Sequence, residues 1–127
     1  MKEQLSKLIS KLQELPGEIA ELQTNALALN DSIQLVSEEI VRRESEIKSE
    51  INAATDENGK KLYSNEEARK IAFISDSKED STLIELYSKK SVISHKLDIV
   101  RIAIEQSSNE QRNIRSILNV ISLMPEN

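Results

Sequence analysis

From Leu5, alternating steps of three and four residues land on Leu8, Leu12, Leu15, Ile19, Leu22, Ala26, Leu29, Ile33, Val36, Ile40, Arg43, Ile47, Glu50 and Ala54. Thirteen of these fifteen positions are apolar. A spacing that averages three and a half residues keeps side chains on one side of an α-helix, where they interlock with a second helix, and it conflicts with the two-residue period of a strand. A second run, Leu83, Leu86, Lys90, Ile93, Leu97, Val100, Ile104, Ser107, Gln111, Ile114, Leu118 and Ile121, is apolar at nine of twelve positions. It ends at Met124, before Pro125. Aromatic residues make up only 2% of the chain, so aliphatic stripes must do most of the packing, which favours a narrow seam over a thick core.

The fold class expected from this pattern is all-α, a long antiparallel coiled-coil helical hairpin that forms oligomers, with a short β-hairpin or loop plus a short helix at its tip. One domain, 1–127, is expected from the length. Within it the punctuation suggests an N-terminal helical arm over 1–15, a first long helix over 17–54, a tip over 55–79 and a second long helix over 80–124. Pro16 and Gly17 interrupt the helix without disturbing the register, so a kink or a one-turn break is expected there. In the tip, Asn58-Gly59 suits a tight turn between two very short strands. The Ser64 to Glu67 spacing is that of a capping box and starts a short helix running to about Ser75, after which the polar stretch SDSKEDS breaks it. Asp80 or Ser81 then caps the last helix.

If residue 54 lies opposite residue 80, Ala26 meets Ser107, Leu22 meets Gln111 and Leu12 meets Ile121. The same register brings Arg43 close to Lys90, which is unfavourable unless Glu39, Glu46 or a partner chain supplies a carboxylate. Ile84, Tyr87, Ile99, Ile102, Ile117 and Val120 fall outside the second seam and widen its apolar stripe. One helix cannot cover all of that surface, so these six are the expected oligomer face, most economically against a second copy.

Charge narrows the partners. With 22 acidic and 17 basic residues the net charge is −5, so nucleic acid would have to be met by a local basic patch. There is no cysteine for a disulfide or thiolate-bound metal. No stretch is long and apolar enough to span a membrane, and the opening MKEQLSKLISKLQEL alternates charge with leucine, so a cytoplasmic protein without a membrane partner is expected. The same opening is amphipathic, with Lys2, Lys7 and Lys11 on its polar side, but its leucine spacing is better explained by the seam than by a membrane surface.

The tip carries the candidate partner-binding residues Asn58, Gly59, Lys60, Lys61, Tyr63, Asn65, Arg69 and Lys70, together with Ser64. Presented as a recognition surface, the bases would meet acidic groups and Tyr63 would stack on a partner. As plain architecture, Gly59 makes the turn, Tyr63 covers the base of the hairpin, Asn65 caps a helix and the bases are solvated. The run DENGKKLYSNEEARK, placed between two coiled-coil helices, resembles small acidic coiled-coil proteins of bacteriophages and prophages, which carry similar Asn-Gly-Lys, Tyr-Ser-Asn and Arg-Lys elements at the turn. The likeness covers residues 56–70 and is architectural elsewhere. It implies a phage or mobile-element origin, in a region with recombination or anti-defence genes, and brings no catalytic residue.

Chemistry is sparse. Asp56-Glu57-Asn58-Gly59 is a poor calcium loop, because aligning its glycine puts Ala54 and Asn65 at two ligand positions, so no metal is expected. His95, the sole histidine, has no triad neighbours and is expected on the outer face of the last helix. Neither catalytic residues nor cofactors are expected, and the chain is not expected to be an enzyme. Glu38, Glu39, Glu44, Glu46 and Glu50 read most simply as solvated helix faces, or as an acidic surface filling a basic groove on a partner. The functional expectation is a phage-type interaction protein, an inhibitor of a host defence system or nuclease acting in the host cytoplasm. Alternatives are a nucleic-acid-binding accessory of phage recombination or replication, acting through the basic tip, and a purely structural coiled coil.

Overall fold

The computed structural model describes residues 2–124, which form three helices: α1 (Lys2–Ala53), α2 (Glu66–Glu79) and α3 (Ser81–Ser122). The fold is all-α, and the described residues contain no strand longer than an isolated bridge. Pro125, expected to follow the last helix, lies outside the described residues. Among the described residues, no helix is long and apolar enough to cross a membrane. The chain divides into two compact units, Met1–Asn30 with His95–Asn127, and Asp31–Ser94.

In the first unit the early part of α1 shares its packing with the late part of α3. Leu15 is fully buried, and Leu97 and Ile114 are nearly so. Around them Leu8, Leu12, Ile19, Leu22 and Ala26 of α1, and Ile104, Ser107, Gln111 and Leu118 of α3, are half-buried. One face of each helix is therefore covered, and only partly, as expected when a stripe meets a single neighbour. The break expected at Pro16 does not occur, because α1 runs through it. Proline removes one N–H, leaving the Leu12 carbonyl without its helical donor, but its φ is already helical and Leu15 beside it is fully packed. Tertiary burial outweighs one lost hydrogen bond.

In the second unit Val36, Ile40, Ile47 and Ile51 of α1 form a core with Ala72 of α2 and Leu83 of α3. Tyr63, Phe73, Leu86 and Ile93 pack against it. The alternating count placed Glu50 in the seam, yet Glu50 is exposed and Ile51 is buried. A real helix drifts from the three-and-a-half-residue count by about 20° per seven residues, and α2 offers Ile51 a second apolar neighbour.

Two junctions differ from the sequence expectation. Helix α2 starts one residue later than the capping box implied, with Asn65 as its N-cap, whose Oδ1 accepts from the Ala68 N–H at 2.7 Å. It also continues past Ser75 through SDSKE to Glu79, so the polar stretch breaks it only at its sixth residue, Asp80. The only residue between α2 and α3 is Asp80. Its Oδ2 accepts from the Leu83 N–H at 3.0 Å, which caps α3 as expected.

Asp80 also answers the question of Arg43. The guanidinium donates through Nη2 to Asp80 Oδ1 at 2.7 Å and through Nε to Asp80 Oδ2 at 3.1 Å. Glu46 lies 2.9 Å from Nη1 and Glu50 3.8 Å from it. The seam arginine is thus neutralised by the interhelical carboxylate and by its own helix, and the expected conflict with Lys90 is resolved within the chain. The Arg43 hydrogen bonds, followed by the Leu83 N–H, hold the Asp80 carboxyl below its usual range.

Candidate functional site

Between α1 and α2 the chain makes a structured loop in place of a β-hairpin. Thr55 and Lys61 form a single antiparallel bridge. Inside it the Asp56 carboxylate Oδ1 accepts from the N–H groups of Asn58 at 2.8 Å and Lys60 at 3.0 Å. The Gly59 N–H donates to the Asp56 carbonyl at 3.1 Å, and the Asp56 N–H donates to the Lys60 carbonyl at 2.8 Å. Gly59 has a φ of 79°, the left-handed region that glycine enters without a Cβ penalty. Asp56, part of a poor calcium loop by sequence, is committed to folding its own loop.

The predicted tip residues separate into two groups. Asn58, Gly59 and Asn65 are used by the backbone, in the turn and the cap. Tyr63 is half-buried against the core, and its carbonyl accepts from Arg69 Nη1 at 3.3 Å. Lys60 and Lys61 are exposed. Lys70 lies 3.8 Å from the Glu66 carboxylate, one turn back on α2.

Arg69 and Lys70 also reach a feature that linear spacing could not reveal. Together with Lys48 they edge a half-open groove of about 370 Å³, whose apolar floor is Ile51, Phe73 and Ile74. Asn52 and Glu66 complete its lining. The Lys48 ammonium sits 4.9 Å from the centre of the Phe73 ring, within range of a cation–π attraction. Three cations face one carboxylate here, in a chain of net charge −5. Such a groove can hold an apolar side chain while satisfying a neighbouring anion. The sequence signal was weak: Phe73 is the only phenylalanine in the chain, and Ile71 and Ile74 give α2 more apolar surface than one neighbour covers.

The five glutamates do not share a face. At 100° per residue, Glu39, Glu46 and Glu50 fall within about 40° of one another, Glu38 lies well to one side, and Glu44 is roughly opposite. Glu46 and Glu50 flank Arg43. Glu44 accepts from the Tyr87 hydroxyl at 3.2 Å. Partial desolvation, followed by the Glu44 carboxylate, pushes the Tyr87 phenol above its ordinary pKa. Glu38 and Glu39 remain exposed.

The six residues expected on an oligomer face are all about half exposed: Ile84 55%, Tyr87 51%, Ile99 54%, Ile102 55%, Ile117 45% and Val120 57%. His95 is exposed as well. No known family model matches this chain, nor does any curated protein or any solved structure.

Proposed function

We propose that the chain is a phage-type, non-enzymatic interaction protein that self-associates through the outer face of α3. Its groove in the second unit would hold an acidic, apolar-bearing segment of another protein. The observation that carries this reading is the meeting of Ile51, Phe73 and Ile74 with Lys48, Arg69 and Lys70 in an otherwise acidic chain. An apolar floor lowers the local dielectric, so a carboxylate beside those cations gains more there than on open surface, and a neighbouring Leu or Phe side chain fixes its position. Inhibition of a host defence factor or nuclease, through capture of such a segment, is the concrete form. Within each unit we read α1 and α3 as an antiparallel coiled-coil pair, since the early part of α1 is grouped with the late part of α3 and the late part with the early.

Fluorescence anisotropy with labelled peptides tests the groove. A Glu- and Leu-rich peptide should bind the native chain, and Lys48→Glu or Lys70→Glu should remove that binding while far-UV circular dichroism stays unchanged. Equal binding of a Lys- and Leu-rich control would defeat the reading. A second reading, a nucleic-acid accessory, is favoured by the exposed Lys60 and Lys61 close in sequence to Arg69 and Lys70. It requires oligonucleotide binding that falls steeply with salt and is lost in Lys60→Ala and Lys61→Ala. If neither peptides nor oligonucleotides bind, the inert structural coiled coil is what remains.

A further inference from the structure

Within the first unit, one sector of α3 outside its seam is free of formal charge. At 100° per residue, a sector about 80° wide contains Ile99, Ile102, Ile117 and Val120, all about half exposed. Between the two apolar pairs the same sector carries the exposed amides Gln106, Asn109 and Asn113. The charged residues of this stretch of α3, such as Asp98, Glu105, Glu110 and Arg112, all lie outside it. Branched apolar pairs at both ends with amides in the middle form a pattern that reads alike in either direction about a centre within two residues of Ser108, which suits an isologous contact.

We infer that a second copy of the chain packs antiparallel on this face about a two-fold axis at the level of Ser108 along the helix, setting Ile99 of one copy against the partner's Ile117. The inference rests on the self-association proposed above and specifies its face, direction and register.

Three observations meet at this register. Gln106 falls level with the partner's Glu110 and within one residue, about 1.5 Å of rise, of its Asn109, and the reciprocal contacts form across the axis, so these amides have polar neighbours where unpaired they would be costly. Glu105 and Arg112 lie on the same flank of the sector, and the two-fold brings each beside its opposite charge on the other copy. A parallel pair would instead place Glu105 against the partner's Glu110, a repulsion repeated on both sides. Finally, a hollow beside Ile99, formed with Asn25, Ala28, Leu29, Lys96 and Val100, has a volume of about 460 Å³ and can take the partner's Ile117 as a knob.

The chain contains no cysteine, so single cysteines report contacts without background. Ile99→Cys mixed with Ile117→Cys should give a disulfide-linked heterodimer under mild oxidation. Neither variant should cross-link to itself, because each position lies about 27 Å from its own symmetry mate at ~1.5 Å per residue, far beyond the ~7 Å limit between bridged Cα atoms. Both sites are exposed, and circular dichroism verifies that the variants fold. As an independent readout, Glu105→Arg or Arg112→Glu alone should weaken association roughly tenfold, and the two together should restore it. Light scattering that finds only monomer overturns this inference and the self-association reading together. A dimer in which Ile99→Cys links to itself, or in which the mixed pair never links, overturns the antiparallel register and leaves self-association standing.

Discussion

Leu83 and Ile84 are neighbours in sequence with opposite surroundings. Leu83 has no exposed surface and touches the core built from Val36, Ile40, Ile47, Ile51 and Ala72, while Ile84 is 55% exposed. Replacing Leu83 by alanine removes three carbons from a closed space, a transfer loss of about 2.4 kcal/mol at ~0.8 kcal/mol per carbon. The cavity left behind raises the total to about 3–5 kcal/mol, since α1, α2 and α3 all contribute walls and cannot all move inward together. For a chain of this size that is a fall in Tm of roughly 10–20 °C. In Ile84→Ala, half the lost surface was already in water and alanine is the better helix former, so the cost falls to about 0.5–1 kcal/mol. Thermal and urea unfolding followed by circular dichroism, at low protein concentration, measure both. Equal losses at the two sites would refute the reasoning, because adjacent helix positions differ by about 100° and one of them would have been assigned to the wrong side.

The two glycines should respond in opposite directions. A Cβ at Gly17 meets nothing within 4 Å, so Gly17→Ala should stabilise α1 by about 1 kcal/mol, whereas Gly59→Ala, at a φ of 79°, should destabilise the loop by about 1–2 kcal/mol, both read from urea unfolding. Asp80→Asn should be less stable than the native chain near neutral pH. Because Arg43 and the Leu83 N–H depress the Asp80 pKa below its ordinary 3.8, that advantage is complete above about pH 4. It shrinks as pH falls through the depressed value, and a gap between the two unfolding curves that stayed constant down to strongly acid pH would contradict the assignment.

The seams were legible because burial on a helix is periodic: each seam position from Leu5 to Ile121 is buried or half-buried except Glu50. Ile51 escaped because a fixed count cannot follow the drift of a real helix, nor anticipate that α2 would come to rest beside it. Pro16 and the first five residues of SDSKEDS misled for a shared reason. Both are unfavourable to an isolated helix, and both lie in helices held by neighbours, with Leu15 and Ala72 buried close by. The Asn-Gly turn and the Asp80 cap were readable because their signals are local. Asp56 carries a local signal too, an Asx turn onto the N–H two residues ahead, which the Asn58-Gly59 turn expectation did not include. The groove was not readable, since Lys48 and Phe73 meet only after α2 packs on α1.

Asp80 leaves the chain no slack. This one residue ends α2, begins α3 and grips Arg43 with both oxygens. An extra amino acid at that joint would turn all of α3 by about a quarter of a revolution against its contacts. The loop from Asp56 to Lys60, closed by its own hydrogen bonds, can lengthen without that penalty. Descendants of this sequence should therefore vary in length at the loop and keep the α2–α3 joint at a single residue.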